Sequence, residues 1–128
     1  MVWPINEKLW SRFVCRLAGW HHVCLEGFQE HHLVSKGDLR GNARARQLCE
    51  REHPEYFLVP VCGFANRTRL TDTKEGTALL LQRQIEQFGI EPIETAWNEL
   101  RDLLKPGSLT TIEAVLAHLP ADDPGGLW

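Results

Sequence analysis

The chain has 128 residues, with 14 basic and 17 acidic side chains, a formal net charge of -3, and 43% apolar against 24% charged residues. That length suits one domain able to bury a core without disulfide staples, and the composition is neither collagenous nor low-complexity. No apolar run approaches the roughly 20 residues of a membrane span, and the opening Met-Val-Trp-Pro-Ile-Asn is no secretion signal. The expectation is a cytoplasmic protein without membrane contact.

In chain order, residues 6–18 carry Leu9, Trp10, Phe13, Val14 and Leu17 at helical spacing, with Asn6 as N-cap and Gly19 as stop. A turn around Gly27 follows, and His31-His32-Leu33-Val34 reads as a short strand. Residues 35–54 are polar and basic, a long loop with helical character near 43–52. A loop of that length inside a small domain is often functional. Residues 56–61 (Tyr56 to Val61) read as a second strand, with Pro60 marking an edge or end. A helix begins at Gly63 and runs to Arg69. Thr77 to Phe88 is a helix stopped by Gly89. Pro92 to Lys105 is another, with Ile93, Trp97, Leu100, Leu103 and Leu104 on one face. Ser108 caps a last helix over 109–119, and 120–128 reads as a loose tail.

The net charge conceals a division. Residues 1–84 carry an excess of three positive charges, and residues 85–128 an excess of six negative ones. The basic excess is densest at Lys36, Arg40, Arg44 and Arg46, and again at Arg67 and Arg69. A net charge of -3 argues against a polyanion partner, whereas a basic front half argues for one.

Four of the six histidines come as adjacent pairs, His21-His22 and His31-His32. Successive strand residues point to opposite faces, so one imidazole of the second pair can face a metal while the other faces elsewhere, unless a bend brings both to one site. The four cysteines, Cys15, Cys24, Cys49 and Cys62, form no C-x-x-C pair. Free thiols or metal ligands suit them better than disulfides. Cys15 falls in an apolar helical pattern and reads as core.

Glu30-His31-His32-Leu33-Val34-Ser35-Lys36, the basic loop, Phe57-Leu58-Val59-Pro60-Val61-Cys62 and Asn66-Arg67-Thr68 together resemble an HNH endonuclease over about residues 20–75. The resemblance implies an α+β fold, a single domain 1–128. It comprises an N-terminal helix (6–18), a ββα-metal finger with a short two-stranded sheet (20–75), a helical extension (77–119) and a tail (120–128). It implies a DNA phosphodiesterase of phage or mobile-element type, nicking or homing, acting on double-stranded DNA. His32 would be the general base, with Mg²⁺ or Mn²⁺ held by His31 and Asn66. The family's middle Asn would fall at Phe57, and Asn42 is the candidate replacement. Lys36, Arg40, Arg44, Arg46, Arg67 and Arg69 would contact the DNA backbone.

Many members of that family carry a zinc knuckle. Its reduced counterpart would draw on His21, Cys24 and Cys62, with Cys49, His22 or His53 as fourth ligand; otherwise Cys24 and Cys62 pack together without zinc. The alternative to a nuclease is a degenerate finger that binds DNA or protein without cutting. The C-terminal helices either cover the finger's core or form a homodimer surface.

Overall fold

The computed structural model describes residues 15–123 apart from Val23 and Glu26. Positions 6–14 of the expected N-terminal helix and 124–128 of the tail lie outside the described residues. The fold is α+β. Strand β1 (Phe28–His32) pairs antiparallel with β2 (Leu58–Cys62), Phe28 opposite Cys62 and His32 opposite Leu58. The chain between them forms α1 (Lys36–Leu39), α2 (Ala43–Gln47), a π-helical turn (Leu48–Glu52) and α3 (Pro54–Phe57). Behind β2 come α4 (Gly63–Arg67), a 3₁₀ turn (Leu70–Asp72), α5 (Lys74–Phe88), α6 (Ile90–Leu103) and α7 (Ile112–Leu116).

The strands differ from expectation for identifiable reasons. Pro54 occupies the first turn of α3, where its fixed φ is pre-organised, so Tyr56 and Phe57 finish a helix and β2 begins at Leu58. The first strand starts earlier, at Phe28, and stops at His32; Leu33 and Val34 leave it and are buried. Pro60 sits inside β2, opposite Glu30, and its carbonyl accepts from the Arg16 amide at 3.0 Å. In a two-stranded sheet both strands are edges, which is where proline is tolerated.

The helices shift by their caps. Thr73 accepts from the Gly76 amide and starts α5 three residues before Thr77. Gly89, at φ 90°, separates α5 from α6, which begins at Ile90 with Pro92 still in its first turn. Thr111, not Ser108, caps the last helix, which is shorter than expected. Residues 16–19 form a turn.

One core runs through all of this. Leu39, Leu48, Phe57, Val59, Val61, Leu79, Leu80, Trp97 and Leu100 are each almost completely buried. Phe57 stacks against Trp97 with centroids 6.3 Å apart, and the Trp97 indole donates to the Thr110 carbonyl at 2.8 Å. Thus α6 covers the core of the strand region. The buried Gln84 amide of α5 donates to the carbonyls of Glu55 and Tyr56, fixing the turn that leads into β2. The described part of the tail is anchored: Asp122 pairs with His21 and accepts from the Trp20 indole, and Asp123 pairs with the buried Arg83. Among the described residues no helix is long and apolar enough to cross a membrane.

Candidate functional site

Two clusters face the ends of the hairpin. At one end, Cys15, His22, Cys24 and Cys62 bring their ligand atoms within 4.8 Å of one another. This cluster could bind a metal ion. His22 Nε2 lies 3.8 Å from Cys15 Sγ and 3.6 Å from Cys24 Sγ. Ligands 2.0–2.3 Å from a tetrahedral ion stand about 3.5–3.8 Å apart, so these spacings need little adjustment. His22 Nδ1 is 2.8 Å from the Trp20 carbonyl. A carbonyl only accepts, so Nδ1 carries the proton and Nε2 presents its lone pair to the thiols, the arrangement that fixes a ligating histidine. Its ring stacks on Phe64. Burial raises the Cys15 thiol far above its ordinary range and raises Cys24 as well, with neighbouring thiols adding to both. Cys15 and Cys24 are thus poor anions on their own, and beside Cys62 and one imidazole nitrogen they are good ligands to a cation.

The membership matches the sequence expectation in part. Cys24, Cys62 and His22, one of the alternatives for the fourth ligand, are in the cluster, and Cys15 joins them in place of His21. His21, with φ 57°, turns away and pairs with Asp122 at 2.6 Å. Cys49 is buried in the core, where burial first and Glu50 second push its thiol up to about 12. Cys15 is buried in the core, as its apolar neighbours imply, and its thiol also faces this cluster; its spacing from His22 and Cys24 is no familiar knuckle.

On the hairpin, a cleft of about 560 Å³ is lined by His31, His32, Lys36, Asn66, Thr71 and Asp72, among others. His31 of β1 and Asn66 of α4 line the same cleft. Asn66 Nδ2 donates to Gln29 Oε1, and Thr71 Oγ1 lies 3.5 Å from Asn66 Oδ1. Strand β1 delivers the histidines, and α4, capped by Cys62 accepting from the Ala65 amide, delivers Asn66. Burial lowers the His31 pKa, opposed by Asp72 and Asn66 and reinforced by His32. His31 therefore favours the neutral form that can coordinate a cation. His32 Nε2 lies 3.3 Å from Glu50 Oε1. An imidazole, an amide oxygen and the nearby Asp72 carboxylate make a donor set suited to a hard divalent ion. Asp72 and Glu50 are brought in from separate turns that local pattern does not place.

A second cleft, of about 490 Å³, meets the first at His32 and Lys36 and is also lined by Arg40, Arg46 and Glu50. The remaining expected DNA contacts stand apart. Arg44 is clamped between Glu52 and Glu99, the latter at 3.1 Å. Arg67 lies over the Phe64 ring, and the exposed Arg69 pairs with Asp72 at 3.5 Å. Asn42 lines neither cleft. Its Oδ1 caps α2 through the Ala45 amide and its Nδ2 donates to the Leu103 carbonyl at 2.7 Å. It holds the loop against α6.

Comparison with known proteins brings no match: no family model, no curated protein and no solved structure aligns with the chain.

Proposed function

We propose that the chain is a metal-dependent endonuclease of the HNH type, its ββα-metal finger formed by β1, β2 and α4. The observation that carries this reading is the meeting of His31, His32 and Asn66 in one cleft. Hydrolysis of a phosphodiester needs an activated water and a stabiliser for charge on the phosphate oxygens. His32 takes the proton from the water. His31 and Asn66 would hold Mg²⁺ or Mn²⁺, with Asp72 beside them, and the bound ion would stabilise the charge developing on phosphate. Lys36, Arg40 and Arg46 attract the backbone of double-stranded DNA to the two adjoining clefts.

The Cys15–His22–Cys24–Cys62 cluster supports a structural Zn²⁺ in the same reading. Three thiols and one imidazole are the donor set of a closed structural site. It ties the segment before β1 to the junction of β2 and α4, from which Asn66 projects.

Supercoiled plasmid incubated with Mg²⁺ or Mn²⁺ tests the proposal. Wild-type protein is expected to nick it, and His32→Ala to lose at least about a hundredfold in rate. Binding without cutting, or equal cutting by both proteins, would instead favour a degenerate DNA- or protein-binding finger.

A further inference from the structure

We infer that Glu50 is a positioning residue for His32, holding its imidazole in the tautomer that can accept a proton; this rests on the nuclease reading above. His32 Nε2 lies 3.3 Å from Glu50 Oε1. An ionised carboxylate accepts and does not donate, so the ring proton of neutral His32 resides on Nε2 and Nδ1 keeps its lone pair. His32 lines both clefts, whereas Glu50 lines only the basic one. The Nε2 edge is thus anchored on the basic side, which leaves Nδ1 for the cleft shared with His31 and Asn66.

The backbone that presents Glu50 is unusual. It lies in the π-helical turn Leu48–Glu52, between Leu48 and Cys49, which are fully buried, and the exposed Glu52. Single π turns are rare and are often found at functional sites. Here the turn follows α2 directly and carries Glu50 to the hairpin while Leu48 and Cys49 stay in the core. Arg46, one helical turn earlier, lies 3.8 Å from the same Glu50 oxygen and helps hold the carboxylate in place. The other charged or titratable groups around His32 are His31 on its own strand, Lys36 and Arg40 from and beside α1, and Glu30 and Asp72 across the first cleft. None of these has a hydrogen bond to the His32 ring that would compete with Glu50.

The ¹⁵N spectrum of His32, assigned by its loss in His32→Asn, reads the tautomer on the protein alone, without DNA or metal. Wild type is expected to show one neutral tautomer protonated on Nε2, and Glu50→Leu a mixture. In plasmid cleavage, Glu50→Leu is expected to lower kcat about ten- to a hundredfold with KM within about twofold. Glu50→Asp, which restores a carboxylate, is expected to recover part of kcat, an outcome that a folding defect would not give. An unchanged tautomer or an unchanged kcat in Glu50→Leu would overturn the inference. A wild-type protein that leaves DNA uncut would overturn the nuclease reading instead, so the two fail separately.

Discussion

At the scale of single residues, the geometry assigns several side chains to jobs that their type alone does not declare. Asn42 is a polar residue beside a glycine in a basic loop, which suits a turn, a cap or a catalytic helper equally. Only its bonds to the Ala45 amide and the Leu103 carbonyl decide for the cap. Gly76 carries no chemistry, yet a Cβ there would stand 1.9 Å from the Leu70 carbonyl oxygen. Backbone must move to admit it, so Gly76→Ala is expected to destabilise by about 1–3 kcal/mol in urea unfolding, and an unchanged midpoint would contradict the close approach. His31 gives a pH dependence. Burial lowers its folded-state pKa below the ordinary 6.5, so the unfolded chain takes up the proton first as pH falls. This contribution to stability is present above about pH 6.5 and is lost as pH drops through that value toward the folded pKa. Without added divalent ion, unfolding midpoints are expected to fall between pH 7.5 and 5.5, and His31→Gln to show a shallower fall.

At the scale of elements, local pattern locates the helices well and their ends less well. The apolar spacing of α5 and α6 is strong enough to read directly, whereas their first residues depend on which threonine or glycine wins the cap. The order strand, basic segment, strand, short helix is legible because Leu58-Val59-Pro60-Val61-Cys62 and Asn66 stand in a recognisable succession, but the basic segment read as a long loop is helical over 36–39, 43–52 and 54–57. The Cys/His cluster is only half legible. Cys24 and Cys62 flank the hairpin and meet wherever it closes, as the pairing of Phe28 with Cys62 shows. Cys15 and His22 reach them through a turn whose course is set by tertiary bonds such as Arg16 N to the Pro60 carbonyl. If Zn²⁺ occupies this cluster, it clamps three segments, and structural zinc sites in small domains contribute about 10–16 kcal/mol of apparent folding energy. Purified protein is expected to hold one zinc per chain. Cys24→Ser or prolonged chelation is expected to release it and lower the thermal midpoint markedly. A zinc-free protein with an unmoved midpoint would contradict the clamp.

At the scale of the molecule, the net charge of -3 is a sum over two unlike surfaces. Part of the acidic excess of the C-terminal segment is used internally: Glu99 meets Arg44, while Glu86 and Asp123 meet the buried Arg83. The cations that remain around the clefts are Lys36, Arg40 and Arg46. Arg40→Ala is therefore expected to weaken DNA binding and reduce its salt dependence by about one phosphate contact, whereas Arg44→Ala is expected to leave that slope unchanged. Equal effects of the two substitutions in a salt titration would contradict this division of the basic residues. The C-terminal helices spend Ile93, Trp97, Leu100 and Ile112 on the chain's own core, the first of the two roles open to them from their sequence.

The nuclease reading turns on whether the hairpin cleft is a cation site. A crystal of the protein grown with Mn²⁺ and measured for anomalous scattering addresses this directly. A manganese peak is expected, coordinated by a ring nitrogen of His31 and the Oδ1 of Asn66, with His32 facing a water beside it. A crystal in which manganese is absent from that cleft would contradict the cation site.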